Sequence, residues 1–433
     1  MILSAERPIR GTVDLPGDKS ISHRAAIMAA LASGETQIQG YAPGTDAQAT
    51  LNCLMALGVG VSSAASGISI RGSSLSGLKP PDGHLNCMNS GTTMRLLSGV
   101  LAAQRFPSVL TGDSSLRSRP MARIVEPLTK MGARVCAEGD SNTAPLAFFP
   151  PKEHRLRGLD CYRLPVASAQ VKSCILLAAL FADGATSVVE PVLTRDHTER
   201  MLRLFGARVT SNGLCIRLEP GTVLTAQRLS IPKDISAAAF WIAAAALVPG
   251  SNMLLQDVGL NPGRTGFLDA LKSMGADITV LPTAAADWEP VGSIKVLASR
   301  LSAIDIAPRE VPSLVDELPM LAVCASMAEG TTRVTGAQEL RVKESDRIAA
   351  IVTNLKAMGA AAGELSDGFW VTGGRKLHGT RIITMGDHRI AMAFSVAALV
   401  AEGETVLDNP QCIDVSYPGF LKQIRNLTGN SHD

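Results

Sequence analysis

One pattern recurs along this chain at nearly even intervals and limits what the chain can fold into. It is a helix end of the form Leu-x-x-Φ-Gly, where Φ is a large apolar residue, and in most copies Ala follows the glycine. The five copies are Leu54 to Gly58, Leu128 to Gly132, Leu202 to Gly206, Leu271 to Gly275 and Leu355 to Gly359. A glycine in the left-handed conformation ends a helix at no steric cost, and a strand can begin directly after it. The pattern predicts one structural unit that is repeated, because successive glycines stand 74, 74, 69 and 84 residues apart.

A second marker lies out of phase with the first, where an Ala-rich helix ends at Gly and a strand rich in Thr or Val follows. Its copies are Gly34, Gly184, Gly250, Gly330 and Gly403, with Ala102 to Leu110 as a sixth copy that lacks the glycine. Together the two markers predict about six units of roughly 70 residues, each with two helices separated by strands. Six such units favour two closed domains of three over an open stack. The alternative is chance recurrence of a common helix cap.

Length and composition set further limits. The 433 residues exceed what one hydrophobic core usually holds, so we expect two or more domains and a binding site in the cleft between them. Apolar residues make up 46% of the chain, but aromatic residues only 4%, and the net charge is +2. Few aromatic platforms and little net charge disfavour nucleic-acid binding.

The chain shows no sequence signal for export or for membrane insertion. Its opening residues lack a basic flank followed by a long apolar core, and the Ala-rich run from Ala237 to Val248 is too short to span a bilayer. The eight cysteines stand singly, without the spacing of metal ligands. We therefore expect a cytoplasmic protein with reduced, mostly buried thiols and no membrane partner.

The densest run of charge is Lys343-Glu344-Ser345-Asp346-Arg347, with four charged side chains in five residues. Such a run indicates a bound anion and proton transfer. Other turns beside Gly or Pro are also rich in cations, and they contain Asp18-Lys19-Ser20 with Arg24, Arg117 and Arg119, Arg195, and Asp387-His388-Arg389. Cations gathered in turns next to hydroxyl groups predict a small polyanionic ligand.

Each of these turns also has a simpler structural interpretation. Lys19, Ser20 and Arg24 would hold a phosphate at a helix start, although the segment is not a P-loop and is equally compatible with a surface cap. The turn from Asn89 to Arg95 and the triplet Ser168-Ala169-Gln170 are interpretable as N-caps. Arg119 is a plausible surface residue ahead of a helix.

Asp316 and Glu317 stand in an apolar run ahead of a helix that is expected to be buried. A buried carboxylate is costly unless it is paired. An acid or base role is therefore a reasonable hypothesis for this pair.

Eight segments in fixed order resemble the 5-enolpyruvylshikimate-3-phosphate synthase family, from about Pro16 to Pro418. They are LPGDKSISHR, NSGTTMR, RPMARIVEPL, ASAQVKS, RDHTER, VDELPMLA, LRVKESDRI and DHRIAMAFSVAAL. Several resemble the branch often called class II. The resemblance implies transfer of the enolpyruvyl group of phosphoenolpyruvate to the 5-hydroxyl of shikimate 3-phosphate, with release of phosphate and without a metal or organic cofactor.

The resemblance also implies the fold. It is an α/β fold of two domains, each an inside-out α/β barrel of the enolpyruvyl transferase type, with six βαβαββ repeats in all and three per domain. Residues 18–233 would form the first domain, and residues 1–17 with 234–433 the second. The active site would lie in the interdomain cleft, and the family is typically monomeric.

Site residues follow from the same likeness. The implied contacts to shikimate 3-phosphate are Lys19, Ser20, Arg24, Ser168, Ala169, Gln170, Arg195, Asp316 and Lys343. The implied contacts to phosphoenolpyruvate are Lys19, Gly91, Arg119, Gln170, Arg347, His388 and Arg389. Asp316 would be the base for the 5-hydroxyl and Glu344 the proton donor at the methylene carbon, with Lys19 assisting.

Two positions bear on inhibitor and substrate affinity. Many members carry a Lys three residues before the C-terminal Pro, where this chain has Val415, which leaves its affinity for phosphoenolpyruvate open. Gly91 occupies a position where Ala is associated with resistance to glyphosate, so we expect glyphosate to inhibit.

Three rivals remain. The enolpyruvyl transferase that acts on a UDP-amino sugar usually has a Cys in the loop that runs here from Gly112 to Pro120, which has none. A non-catalytic binding protein for a phosphorylated acid would have no reason to keep both Asp316 and Glu344. RNA 3′-phosphate cyclase has related repeats but needs a nucleic-acid end.

Overall fold

The computed structural model describes residues 2–3, 8–64, 67–152, 155–283 and 288–429. Residues 1 and 4–7 of the opening segment, on which the expected absence of an export signal depends, lie outside the described residues. The strands in the first part of the chain are β1 (Ile2–Leu3), β2 (Arg10–Gly11), β3 (Glu35–Gln39), β4 (Gly60–Ala64), β5 (Gly67–Arg71), β6 (Leu85–Asn86), β7 (Ser108–Thr111), β8 (Arg134–Gly139), β9 (Thr143–Phe149), β10 (Tyr162–Arg163), β11 (Thr186–Val189), β12 (Val209–Asn212), β13 (Cys215–Leu218) and β14 (Arg228–Ser230). The later strands are β15 (Asn252–Gly259), β16 (Asp277–Thr283), β17 (Val291–Leu297), β18 (Asp305–Ile306), β19 (Thr331–Val334), β20 (Ala361–Leu365), β21 (Gly368–Thr372), β22 (Arg381–Ile382) and β23 (Thr405–Leu407).

The helices alternate with these strands. They are α1 (Lys19–Leu31), α2 (Thr45–Ala56), α3 (Gly91–Leu101), α4 (Ser114–Arg117), α5 (Ala122–Lys130), α6 (Ala169–Ala179), α7 (His197–Leu204), α8 (Ile235–Leu247), α9 (Gly266–Ser273), α10 (Val311–Leu314), α11 (Leu318–Met327), α12 (Arg347–Ala357), α13 (His388–Ala398) and α14 (Phe420–Thr428). Short 3-10 helices cover Asp140–Asn142, Gln338–Val342 and Pro410–Val415.

The chain divides into two compact units. One runs from Gly17 to Ile231, and the other combines the described residues up to Pro16 with those from Pro232 onward. The strand pairing shows why the opening residues join the later unit, since β2 lies parallel to β15 and β1 pairs with β23. In the same way β14 lies parallel to β3, so each unit contains an edge strand that is remote in sequence from its neighbour.

Six sheets account for the strands within the described residues. The unit from Gly17 to Ile231 contains sheets of strand order β14-β3-β5-β4, β6-β7-β9-β8 and β10-β11-β13-β12. The other unit contains sheets of strand order β16-β17-β15-β2, β18-β19-β21-β20 and β1-β23-β22. Each four-stranded sheet has a short edge strand parallel to a central strand, which in turn pairs with an antiparallel hairpin, as in β6 to β9. The repeated unit that the glycine spacing predicts is therefore present, and none of these sheets closes on itself.

Three helices in each unit are buried along almost their whole length. They are α1, α3 and α6 in one unit and α8, α11 and α13 in the other. Within each unit these helices pack on one another, and small Ala side chains allow their backbones to approach closely. The predicted buried helix at Ala237 to Val248 is α8, which spans Ile235–Leu247. The remaining helices bury only one face, as α5 does with Ile124, Pro127 and Leu128.

The five predicted helix-ending glycines all adopt the left-handed conformation. Their φ values are +84° at Gly58, +90° at Gly132, +98° at Gly206, +96° at Gly275 and +89° at Gly359. A strand follows each of them, as β8 follows Gly132 and β16 follows Gly275. The first sequence marker is thus confirmed at every copy, because only a residue without Cβ takes this conformation readily.

Most of the cysteines are buried, as the sequence predicts. Five of the eight cysteines are buried, Cys136 and Cys161 are exposed, and all eight are free thiols. In the part of the chain that the structure describes, no helix is both long enough and apolar enough to cross a membrane.

Candidate active site

The buried helices of the unit from Gly17 to Ile231 begin at capping side chains. Asp18 accepts a hydrogen bond from Ile21 N at 2.8 Å, Ser90 from Thr93 N at 3.1 Å, and Ser168 from Val171 N at 3.4 Å. All three turns are therefore N-caps, but the cap at Asp18 is 2% exposed and so is not the surface cap that the sequence allowed. Capping does not exclude ligand binding, because a helix start also presents free backbone N–H groups and a partial positive charge.

The first turn of α1 holds the expected phosphate-binding residues. Lys19 pairs with Asp46 at 2.9 Å, and about a sixth of its side chain remains exposed (16%). Ser20 Oγ accepts a hydrogen bond from Arg195 Nη1 at 3.3 Å, although these residues are 175 positions apart. The structure thus brings the predicted residues Ser20 and Arg195 together, next to Lys19.

Arg24 is placed differently from a ligand-facing cation. It is 2% exposed. Its guanidinium donates to Thr198 Oγ1 at 2.7 Å, to Ser173 Oγ at 2.9 Å and to the backbone oxygen of Ser20 at 2.8 Å. These bonds join α1, α6 and α7, so Arg24 braces the helix start that carries Lys19 and Ser20.

Gly91 is the first residue of α3 and lies between two arginines. A Cβ added to Gly91 would lie 2.8 Å from Arg95 Nη1 and 3.1 Å from Arg119 Nη1. Arg95 Nη1 also donates to Gln170 Oε1 at 2.8 Å, which brings the predicted residue Gln170 on α6 to the same place. The absence of a side chain at Gly91 therefore allows two guanidinium groups to approach the helix start.

Neighbouring amides and hydroxyls hold this group. Gln170 Nε2 donates to Thr92 Oγ1 at 3.0 Å, and Arg119 Nη2 donates to Asn89 Oδ1 at 2.7 Å. Ala169, also predicted as a contact, is the first residue of α6 and is buried. A short helix, α4, precedes Arg119 where the sequence indicated only a turn.

A buried ion network supports the turn that carries Arg195. Lys172 Nζ lies 2.8 Å from Glu190 Oε2 and 2.7 Å from Glu199 Oε1, and all three side chains are at most 2% exposed. Thr194 Oγ1 donates to the other oxygen of Glu190. Burial raises the pKa of Glu199 although Lys172 opposes the shift. The network connects α6 to both ends of the segment from Glu190 to Glu199, which contains Arg195.

His23 heads a chain of buried side-chain contacts next to α3. Its Nδ1 lies 2.6 Å from Thr50 Oγ1, which lies 2.7 Å from Thr93 Oγ1, and that oxygen lies 2.8 Å from Ser90 Oγ. Burial lowers the pKa of His23 to about 3, so the imidazole is neutral at physiological pH. Sequence reasoning gave this histidine no role.

The second unit contains a second cluster of charged side chains, at the starts of α8, α11 and α13. Asp316 precedes α11, and its Oδ2 lies 3.3 Å from Arg264 Nη1. Glu317 is 2% exposed, and its Oε1 lies 3.3 Å from Arg264 Nη2 and accepts a hydrogen bond from Ser236 Oγ on α8. Asp316 and Glu317, for which the sequence suggested an acid or base role, are therefore both paired with a cation. This pairing offsets the cost of their burial.

Arg347 joins three carboxylates in this cluster. Its Nε lies 2.7 Å from Asp387 Oδ2, its Nη2 lies 2.6 Å from Glu344 Oε2, and its Nη1 lies 3.8 Å from Asp316 Oδ1. Burial alone would lower the pKa of Arg347, but Asp387 and Glu344 outweigh that effect and raise the pKa. Burial alone would likewise raise the pKa of Asp387, yet the charge of Arg347 prevails and lowers the pKa. Arg347 and Asp387 thus stabilise each other's charged forms.

The remaining predicted residues of this unit lie on adjoining segments. Arg389, in the first turn of α13, donates from Nη1 to the backbone oxygen of Asp316 at 3.0 Å. His388 is buried at the start of the same helix. Lys343 pairs with Glu339 at 3.5 Å and keeps a quarter of its side chain exposed (25%). Val415 ends the 3-10 helix Pro410–Val415 and is half-buried.

Sequence reasoning missed two members of the second cluster, Arg264 and Ser236. A signal for Ser236 was available, because Asp234-Ile235-Ser236 at the start of α8 has the same form as Asp18-Lys19-Ser20 at the start of α1. Asp234 and Asp18 each cap their helix. Comparison of the repeats with each other, rather than of their helix ends alone, would have drawn attention to Ser236.

A family model described as EPSP synthase (3-phosphoshikimate 1-carboxyvinyltransferase) matches residues 3–424 of this chain. The chain belongs to the EPSP synthase family. The match includes every side chain of the two clusters described above. The family that the eight sequence segments indicated is thereby confirmed, whereas the class II assignment remains a prediction.

Individual EPSP synthase relatives agree over nearly their full length. A 3-phosphoshikimate 1-carboxyvinyltransferase from Carboxydothermus hydrogenoformans is 48% identical over 427 residues, which is 99% of this chain and 99% of that protein. One from Synechococcus sp. is 49% identical and covers 100% of this chain and 97% of its own. A solved EPSP synthase structure from Acinetobacter baumannii has a TM-score of 0.85 at 44% identity and covers 98% of this chain and 97% of that chain. The two-domain α/β fold is shared with that structure.

Proposed function

We propose that this chain is a 3-phosphoshikimate 1-carboxyvinyltransferase, which transfers the enolpyruvyl group of phosphoenolpyruvate to the 5-hydroxyl of shikimate 3-phosphate and releases phosphate. The reaction belongs to the shikimate pathway to chorismate and the aromatic amino acids. Relatives that carry this name, matched over almost the whole chain, support the proposal. The two charged clusters support it independently, because two anionic substrates require several fixed cations.

Shikimate 3-phosphate is proposed to bind to residues of the first cluster and to Asp316 and Lys343 of the other unit. The proposed contacts are Lys19, Ser20, Arg24, Ser168, Ala169, Gln170, Arg195, Asp316 and Lys343. Ser20 and Arg195 share a hydrogen bond, so one phosphate contacting both would replace or extend it. Arg24 acts mainly through Ser20 in this proposal, because its guanidinium donates to oxygens of Ser20, Ser173 and Thr198.

Phosphoenolpyruvate is proposed to bind to the arginines that neighbour Gly91 and Glu344. Its proposed contacts are Lys19, Gly91, Arg119, Gln170, Arg347, His388 and Arg389. Guanidinium groups suit this ligand because their planar fork bonds carboxylate and phosphate oxygens in pairs and stays charged at any relevant pH. The space left by the missing side chain of Gly91 supports this assignment.

The proposed chemistry proceeds by addition and then elimination. Asp316 removes the proton of the 5-hydroxyl while the hydroxyl oxygen bonds to C2 of phosphoenolpyruvate. At the same time Glu344 protonates C3, which becomes a methyl group. The tetrahedral intermediate then loses phosphate, which takes up the proton that Asp316 had removed, as Glu344 takes a proton back from C3 and so restores the vinyl double bond. Lys19 assists by charge or by proton transfer. No metal or organic cofactor is needed, because the substrate itself carries the leaving phosphate.

One observation carries this assignment, namely that Arg347 contacts both proposed proton-transfer groups. Its Nη2 lies 2.6 Å from Glu344 and its Nη1 lies 3.8 Å from Asp316. Both carboxylates keep some exposure, 19% for Glu344 and 17% for Asp316, whereas Arg347 is 1% exposed. A buried cation thus lies beside two carboxylates that a substrate can still reach, and general acid-base catalysis requires such accessible groups.

The proposal also includes the architecture and bounds of the two domains, the oligomeric state, the cellular location and the response to glyphosate. The buried helices of each unit, with sheets of three repeats around them, support an inside-out α/β barrel in each domain. We assign residues 18–233 to the first domain and 1–17 with 234–433 to the second. The proposed enzyme is a cytoplasmic monomer of class II that glyphosate inhibits in competition with phosphoenolpyruvate.

The experiment that tests the proposal is a choice between acceptors. Purified protein is incubated with phosphoenolpyruvate and either shikimate 3-phosphate or UDP-N-acetylglucosamine, and the products are identified by mass spectrometry. We expect an enolpyruvyl product from shikimate 3-phosphate alone. Product from the UDP-sugar alone would assign the chain to the rival transferase, and product from neither would leave it as a binding protein.

A further inference from the structure

Arg264 lies in a tightly fixed turn between β15 and α9, and it is 2% exposed. Its backbone N–H donates to the backbone oxygen of Asn261 at 2.8 Å, and the backbone N–H of Gly263 donates to Asn261 Oδ1 at 2.9 Å. The Asn261 amide in turn lies 3.2 Å from each carboxylate oxygen of Glu289, which is itself buried. The backbone just before Arg264 is therefore fixed through Asn261, which Glu289 in turn holds.

The guanidinium of Arg264 contacts two consecutive carboxylates. Nη1 lies 3.3 Å from Asp316 Oδ2, and Nη2 lies 3.3 Å from Glu317 Oε1. Nη2 also contacts Ser236 Oγ, which donates to the same oxygen of Glu317. A planar guanidinium fixes the directions of both of its Nη groups at once, so these contacts orient the segment just before α11.

The neighbouring cations bind Asp316 and Glu317 less directly. Arg347 Nη1 is 3.8 Å from Asp316 Oδ1, beyond hydrogen-bond distance, and its other donors bond Asp387 and Glu344. Arg389 bonds the backbone oxygen of Asp316, and its Nη1 is 3.5 Å from Glu317. Of these three arginines, Arg264 therefore has the shortest ion-pair distance to each of the two carboxylates.

We propose that Arg264 is a positioning residue for enolpyruvyl transfer, which holds the Asp316 carboxylate by Oδ2 so that Oδ1 is oriented toward the acceptor hydroxyl. The inference rests on the proposed function, in which Asp316 is the base. Arg264 touches protein carboxylates in this assignment and not the reacting atoms. Its second role is to balance the buried charge of Glu317.

These two roles make different predictions for paired variants. In Arg264→Gln, we expect kcat to fall about a hundredfold while the KM of both substrates changes little, because a displaced base slows chemistry more than binding. The unfolding temperature should also fall, since Glu317 loses the nearer of its two arginine partners and keeps only Arg389 at 3.5 Å. In the double variant Arg264→Gln with Glu317→Gln, the unfolding temperature should recover and kcat should remain low.

Two further variants complete the design. Arg264→Lys retains a charge without the planar fork, and we expect its kcat to lie between those of the parent and the Gln variant. Arg309 is an exposed arginine of the same unit, and Arg309→Gln should leave kcat and the unfolding temperature unchanged. If Arg264→Gln does not fold, kcat and the unfolding temperature are compared between the parent, the Lys variant and the double variant instead.

The outcomes separate this inference from the proposed function. An inactive parent protein would contradict the proposed function whatever the variants do. With an active parent, recovery of kcat together with the unfolding temperature in the double variant would show that Arg264 only balances charge, and it would overturn the inference. An unchanged kcat in Arg264→Lys would also overturn it.

Discussion

Arg347 Nη2 donates to Glu344 Oε2 across 2.6 Å, one turn apart at the start of α12. The arginine is almost fully buried and its pKa is raised by the carboxylates around it, so it keeps its charge throughout any practical pH range. Glu344 is therefore held in one orientation by a partner that does not titrate. This arrangement suits a group that must give a proton to a substrate carbon and take one back.

Replacing Glu344 with Gln keeps the shape of the side chain and removes its proton transfer. We expect kcat to fall by roughly 10²- to 10⁴-fold or more, with the Kd of shikimate 3-phosphate little changed. Steady-state rates and calorimetric binding measure the two quantities. Glu364→Gln is the matched control, because Glu364 is a half-exposed partner of Arg341 in the same unit and should have no effect. A comparable loss of binding in Glu344→Gln would give Glu344 a structural role.

Gly91 controls the space next to two arginines. In Gly91→Ala the new methyl group would lie 2.8 Å from Arg95 and 3.1 Å from Arg119, so a guanidinium must shift. We expect the KM of phosphoenolpyruvate to rise about tenfold, from an overpacking cost of roughly 1–3 kcal/mol. Inhibition by glyphosate should weaken by a larger factor.

The control for this change is Gly83→Ala, since a Cβ at Gly83 meets no atom within 4 Å. It should leave both the KM and the inhibition unchanged. A parent protein whose rate is unaffected by a large excess of glyphosate would contradict the inhibitor prediction, independently of the effect on KM.

Lys172 compensates two buried glutamates, so its loss should destabilise the fold. In Lys172→Met both Glu190 and Glu199 lose their cation, and removal of one partner from a buried ion pair costs about 3–5 kcal/mol. Chemical denaturation measures the free energy of unfolding. Lys130→Met is the control, because the pair of Lys130 with Glu126 is more than half exposed and should contribute little. Equal stability of the two variants would show that the buried network is not needed for folding.

His23 should make the protein sensitive to acid. Its pKa is 6.5 when unfolded and about 3 in the folded protein because of burial, so the unfolded chain binds a proton first as the pH falls. Stability is therefore full above pH 6.5 and declines between pH 6.5 and about 3, by about 1.4 kcal/mol per pH unit from this group alone.

The variant His23→Asn lacks the group that binds this proton in the unfolded chain. Its free energy of unfolding should therefore fall less steeply as the pH is lowered from 6.5 to about 3. Denaturation curves at several pH values measure the slope, so any constant cost of the substitution cancels. His84→Asn at an exposed site should retain the slope of the parent. An unchanged slope in His23→Asn would assign the acid sensitivity to other groups.

Local features of this fold could be predicted from the sequence, because they depend on residues close together in the chain. The left-handed glycines such as Gly58 and Gly132 end helices through bonds within one turn, and the caps at Ser90 and Ser168 act three residues ahead. The repeated sheets followed from the spacing of those signals. The family followed from short segments in a fixed order.

Contacts between distant segments could not be predicted in this way. Arg264 and Asp316 are 52 residues apart, and only the packing of the turns before α9 and α11 brings them within 3.3 Å. Arg24 is a second example. The sequence placed it in a phosphate-binding motif, but in the structure its guanidinium donates to Thr198 and Ser173. A sequence shows which charges exist, whereas the fold decides which of them pair.

The most direct test of the account is the rate of phosphate release from phosphoenolpyruvate on mixing with shikimate 3-phosphate and the purified protein. Parallel reactions omit each substrate in turn. The account predicts release only when both substrates are present, together with an equal amount of enolpyruvyl product. Release without shikimate 3-phosphate, or none with both substrates at saturating concentration, would contradict it.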